Sequence, residues 1–180
     1  MKQLFTLSVF LLLISTMFSQ EIHYQTLEAQ MKITATRYDD VFQWENKKIA
    51  VSLDYKTGDF MVKLNNKDFR ETMGYVQSQE QDTDEVDYEF KGILPINDII
   101  NQQNINQSYP VELQLICESL DIDQTLRFQM DITKPGSGSV DFRIFSIHGK
   151  LYSDEVQIPA LKTYDNEIEL WIIFNAMGSY

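Results

Sequence analysis

The chain has 180 residues, with 27 acidic against 15 basic side chains and a net charge of −12. That balance argues against nucleic acid and anionic membrane surfaces as partners, because such a chain repels them and their binding rests on Lys and Arg neutralising phosphates. The single cysteine, Cys117, excludes an internal disulfide, so a core must carry the stability alone, and a domain of ~150 residues buries ~70% of its unfolded surface.

In chain order, the N-terminus comes first. Lys2 is followed by an almost unbroken apolar run from Leu4 to Ile14, and the small residues Ser15, Thr16 and Ser19 come next. A positive start, a short apolar run and small residues before a cut form a secretory signal peptide. We expect residues 1–19 to be that signal, with cleavage between Ser19 and Gln20 and export to a periplasm or beyond the cell. The apolar run is shorter than the ~20 residues a membrane span needs, and no later stretch approaches a span. No cysteine stands at the junction to take a lipid anchor. Residues 20–180 are then one soluble domain.

Period-2 alternation dominates that domain and predicts strands. Leu27 to Thr36 and Val41 to Trp44 show it weakly. Ile49, Val51, Leu53 and Tyr55 show it clearly, a turn at Lys56-Thr57-Gly58-Asp59 follows, and Phe60, Val62 and Leu64 continue beyond the turn. Asp68 to Met73 reads as a turn or two of helix. Gln77 to Asp87 is a polar, acidic loop. Val86, Tyr88, Phe90 and Gly92 alternate next, and Pro95 to Gln103 reads as a short helix with proline at its start. Val111, Leu113, Leu115 and Cys117 share one face, and so do Leu126, Phe128, Met130 and Ile132. The short link Leu120-Asp121-Ile122-Asp123 makes these two an antiparallel pair. After a Pro/Gly/Ser turn over 134–139, Val140, Phe142 and Ile144 are expected inward, with Asp141 and Arg143 outward. His148-Gly149-Lys150 reads as another turn. Ile168, Leu170, Ile172 and Phe174 close the chain against Glu169, Trp171 and Ile173.

About eight half-buried strands with short turns and one or two short helices give an all-β domain. Two architectures fit: an antiparallel up-and-down barrel of lipocalin-like shape, or a two-sheet β-sandwich. The candidate site is the inward face itself. From the first strands it takes Val51, Leu53, Phe60, Val62, Tyr88 and Phe90. From the later ones it takes Leu113, Leu115, Phe128, Met130, Phe142, Ile144, Leu170 and Ile172. An eight-stranded barrel either fills such an interior with side chains or encloses one small ligand.

No motif for chemistry stands out. His23 and His148, the only histidines, lack metal-ligand spacing. Cys117 alternates with Leu113 and Leu115, as a buried structural thiol does. The acids between Glu80 and Glu89 lack the spacing of a calcium loop. No nucleophile elbow or phosphate-binding glycine loop occurs. We expect no metal, no cofactor and no catalytic residue, and nothing in the pattern sets an oligomeric state.

Three stretches carry a resemblance to a known family. They are Ile49 to Val62 with Lys67-Asp68-Phe69 after it, Tyr88-Glu89-Phe90-Lys91-Gly92, and Tyr109 to Ile132. In order and texture they resemble the YceI-like proteins, which are exported eight-stranded barrels of lipocalin-like shape. The resemblance spans roughly residues 28–175 at low motif specificity. The family's His-rich turn is here Leu120-Asp121-Ile122-Asp123, and its early His-containing segment has no counterpart. The resemblance implies a long apolar cavity that binds an isoprenoid or another lipid chain, and hence a carrier rather than an enzyme. The alternative is a non-catalytic envelope interaction module with a filled core, for which Trp171 and Phe145 would share an outer surface.

Overall fold

The computed structural model describes residues 23–73, 84–96, 108–134, 141–156 and 158–179. Ten strands form one antiparallel sheet. They are β1 (His23–Arg37), β2 (Asp40–Asn46), β3 (Ala50–Leu53), β4 (Asp59–Asn65), β5 (Arg70–Met73), β6 (Asp87–Ile93), β7 (Ser108–Cys117), β8 (Ile122–Thr133), β9 (Asp141–Tyr152) and β10 (Glu167–Ser179). Their order across the sheet is β3-β4-β6-β7-β8-β9-β10-β1-β2-β5. The sheet curls into a barrel of lipocalin-like shape. Phe60 on β4 and Phe174 on β10, far apart in the ladder, stack with ring centroids 5.5 Å apart.

Strands β2 and β3 are two halves of one broken strand. The first half pairs with β1, through Ala35 opposite Phe42 and Ile33 opposite Trp44. The second pairs with β4, through Val51 opposite Val62 and Leu53 opposite Phe60. A strand that switches partners in this way turns a corner between two parts of a barrel. The break is fixed by Asn46, the buried polar residue at its edge. Its amide donates to the Asn65 carbonyl oxygen (3.2 Å) and its oxygen accepts from the Lys48 N–H (2.8 Å). Above the break, β3 lies against β1 without a ladder between them.

The alternation that predicted the strands places their apolar face inward. Leu113, Leu115, Phe128, Met130, Leu170 and Ile172 are all buried, with Val62, Phe90 and Phe60 opposite them. In the middle, Phe145 and Phe174 stack with centroids 4.8 Å apart, and Phe60 extends the stack across the interior. A close approach at Gly149 and a positive φ at Gly58 both call for glycine. A Cβ on Gly149 would stand 2.6 Å from Phe128 Cδ1 and 2.9 Å from the Arg127 carbonyl oxygen. Gly58 has φ of +81° in the turn between β3 and β4, a conformation glycine adopts at no steric cost.

Several expectations change. Arg70–Met73 is a strand, not helix, because the free edge of β2 captures it, with Met73 opposite Gln43 and Glu71 opposite Trp44. Only Asn66–Asp68 winds, as one 3-10 turn capped by the Asn65 side chain, which accepts from the Lys67 N–H at 2.9 Å. His148-Gly149-Lys150 is no turn. It lies inside β9, opposite Trp171, Leu170 and Glu169. Reading β9 to its full length also reverses its faces. Phe145, Ile147 and Leu151 are the buried set, so Phe142 and Ile144 point outward and Arg143 points inward, opposite buried Ala176. The helix expected over 95–103, the turn over 134–139 and the signal over 1–19 lie wholly or mostly outside the described residues, as does most of the acidic loop.

Candidate functional site

The interior has three zones. In the middle, Val62, Leu113, Met130, Ile147, Ile172 and Phe174 have no accessible surface at all. None of these side chains therefore faces a space the size of a water molecule, and close packing of this kind is how protein cores gain dispersion and hydrophobic energy.

The second zone is the seam above the strand break. Val51 and Leu53 on β3 are half-buried, as are the inward residues Ala29 and Ile33 on β1. These are apolar side chains on facing strands that share no ladder, so the barrel wall is thinnest here. Tyr55, just after β3, and Thr26 on β1 stand at the top of the same seam, both half-buried. Burial pushes the Tyr55 phenol well above the ordinary tyrosine range, while the nearby Thr26 side chain and the Arg143 charge act the other way.

The third zone comprises the two ends. At the lower end, where β1 turns into β2, Tyr164 packs edge-on against Phe42 (5.4 Å) and Trp44 (5.1 Å). The Arg37 guanidinium lies over the Phe42 and Tyr164 rings, 5.1 and 5.5 Å from their centroids. The Asp165 N–H donates to the Thr36 carbonyl oxygen, and the Thr36 hydroxyl to Asp165 (2.8 and 2.7 Å). Buried Val156 and Leu161 complete this plug.

The upper end differs. Its half-buried inward positions are Thr26 on β1, Tyr55 after β3, Tyr109 on β7, Lys134 after β8 and Arg143 on β9, and buried Leu94 and Ile96 follow β6 at the same end. Thr133 pairs with Ile144, so Lys134 and Arg143 are the next residues on both sides of that pair, toward the same end. A polar collar thus sits above the apolar stack.

Of the fourteen residues expected inside, Phe60, Val62, Phe90, Leu113, Leu115, Phe128, Met130, Leu170 and Ile172 are buried together, and Val51, Leu53 and Tyr88 are half-buried on the same face. Phe142 and Ile144 are the exceptions, placed outside by the register of β9. Phe145, expected outside, is instead central to the core. Trp171 is outward as expected. Its ring stacks on His148 at 4.4 Å, and His148 Nε2 lies 2.9 Å from Asp131. This histidine–acid pair stands on the outer face of the sheet, away from the apolar interior. Cys117 is buried. Among the described residues, no group of three His, Cys, Asp or Glu side chains is placed to hold a metal ion, and no helix is long and apolar enough to cross a membrane.

These features define an all-β, lipocalin-like barrel with an apolar interior. The fold is similar to a solved polyisoprenoid binding domain from Saccharophagus degradans implicated in plant cell wall breakdown. The TM-score is 0.59 at 4% identity, covering 87% of this chain and 98% of that one. It is also similar to BcnA of Burkholderia cenocepacia, with TM-score 0.54 at 12% identity over 82% and 95% of the two chains. At such identities the likeness is one of fold, and it supports the weak resemblance to the YceI-like proteins. No protein-family model matches the chain, and no curated protein matches it.

Proposed function

We propose that this protein is an exported, soluble, non-catalytic carrier that holds an elongated apolar molecule, an isoprenoid or another lipid chain, in its barrel. The observation that carries the reading is the seam. Half-buried Ala29, Ile33, Val51 and Leu53 line a part of the wall with no ladder across it, over an interior that is apolar but for Asn46 at the strand break. The fold it shares with a polyisoprenoid binding domain supports the same reading. Burial of a chain there would be favourable by about 25 cal/mol per Å² of apolar area. The stacked Phe60, Phe174 and Phe145 rings fill the barrel's waist, so the chain would enter beside them, spreading β3 from β1. Native mass spectrometry of the purified protein tests this, with a co-purifying chain lipid as the expected result. Protein that carries none and takes up none from added lipid would overturn it. Export is tested by fractionating cells and sequencing the N-terminus of the exported chain, expected at Gln20.

A second reading has one observation in its favour. Phe142, Ile144, Trp171, Ile173 and Met177 form a half-buried strip on the outer face of β9 and β10. With a filled core, such a strip suits an interaction module. A lipid-free barrel that self-associates or binds envelope components through this strip would favour it.

A further inference from the structure

The collar at the upper end is largely polar, with buried Leu94 and Ile96 beside it, whereas the aromatic stack beneath it is apolar. We propose that it anchors the oxyanion head of the bound chain, a carboxylate or a phosphate, so that the ligand is an anionic amphiphile rather than a neutral hydrocarbon. The inference rests on the carrier reading and specifies the chemistry of its ligand.

Four observations support it. First, Arg143 is directed inward by the register of β9, opposite Ala176. It sits on the strand whose Phe145 joins the aromatic stack two residues further along. Second, Lys134 flanks it at the end of the adjacent strand, since Thr133 pairs with Ile144. Two cations therefore occupy neighbouring inward positions at one end of the barrel, in a chain of net charge −12. Third, the half-buried Tyr55 and Thr26 stand at the top of the seam, and the Arg143 charge acts on the Tyr55 phenol. Hydroxyl and guanidinium donors converging beside an apolar interior suit an acceptor-only group with a long tail. Fourth, the inward arginine of the other end is used differently: Arg37 lies against Phe42 and Tyr164 and forms part of a plug. A chain lipid held along the seam would thus have its head at the collar and its tail toward the plug.

The test compares matched pairs of chains on the whole domain: oleate against oleyl alcohol, and a polyprenyl phosphate against the corresponding polyprenol. Binding is read by tryptophan fluorescence and checked by native mass spectrometry. We expect the anionic member of at least one pair to bind about tenfold tighter, the size of one charge-assisted hydrogen bond. That preference should shrink as salt rises. The two pairs distinguish a carboxylate head from a phosphate head. Arg143→Gln combined with Lys134→Gln should abolish the preference while leaving the neutral chains bound as before, with circular dichroism confirming the fold. Equal binding of anionic and neutral chains by the unmodified protein would overturn the head-group inference and leave the carrier reading intact. A preference that survives in the double variant would overturn it too. Failure of all four chains to bind would overturn both.

Discussion

The two ends of the barrel solve the same problem in opposite ways. Each must finish an apolar stack and return to water. The lower end does so with rings: Tyr164 closes over Phe42 and Trp44, Arg37 lies across them, and the Thr36–Asp165 bonds hold the closing segment to β1. The upper end does so with the half-buried Thr26, Tyr55, Lys134 and Arg143 beside buried Leu94 and Ile96. A cation laid on aromatic faces is spent on the protein itself. On the head-group proposal, the cations and hydroxyls of the collar serve a ligand as well. One barrel would then carry stability at one end and recognition at the other.

Several measurements would break or sharpen that contrast. The largest effect is expected at the waist shared by both ends. Phe174→Ala removes the ring between Phe60 and Phe145 and should cost about 3–5 kcal/mol in urea unfolding. Gly149→Ala should cost about 1–3 kcal/mol in the same assay, because its Cβ meets Phe128 and the Arg127 carbonyl. At the lower end, Tyr164→Ala should cost about 2 kcal/mol through lost ring contacts and leave any preference for an anionic chain unchanged. Loss of that preference on this change would erase the contrast between the ends. Asn46→Ala strips the bond to the Lys48 N–H and should lower stability by about 1–2 kcal/mol by thermal melting.

The smallest expected effect is alkaline. Burial, with the Cys117 thiol nearby, pushes the Tyr88 phenol up to about 12. The unfolded chain releases this proton near pH 10, so between there and about 12 the folded state binds more protons than the unfolded one. Stability should therefore fall as pH rises through that window. Tyr88→Phe should flatten this part of the pH–stability curve. An unchanged slope would place the alkaline loss elsewhere.

Much of this was legible in the sequence. Val111 to Cys117 and Leu126 to Ile132 alternate over long enough runs to fix their faces, and the structure pairs them as read, Leu113 opposite Leu126. The β9 segment shows where legibility ended. Phe142-Arg143-Ile144-Phe145-Ser146-Ile147 offers apolar residues at both parities. Ending the strand before His148 favoured the wrong set. Carrying it through Gly149 to Leu151 brings Phe145, Ile147 and Leu151 together and leaves Ser146, His148 and Lys150 outside. That single choice hid Arg143, and with it the collar. Strand β5 was hidden for a different reason: its four residues are all exposed, and it forms only because an edge of β2 is free to receive it. Period-2 burial cannot signal a strand that buries nothing. The seam was also beyond reach, since it arises from which strands fail to pair.

The pairing of β1 with β10 has a temporal side. His23 lies opposite Ser179, so the wall is completed only by joining the first described strand to the last. Until β10 is made, β1 lacks the partner of one whole edge, and the pairing with the greatest sequence separation must come late. Topologies dominated by such contacts fold slowly. The same adjacency means that the described termini lie side by side. A short linker could join them and a new opening be cut in the turn at Gly58, giving a permuted chain that seals this wall locally and reaches the barrel sooner.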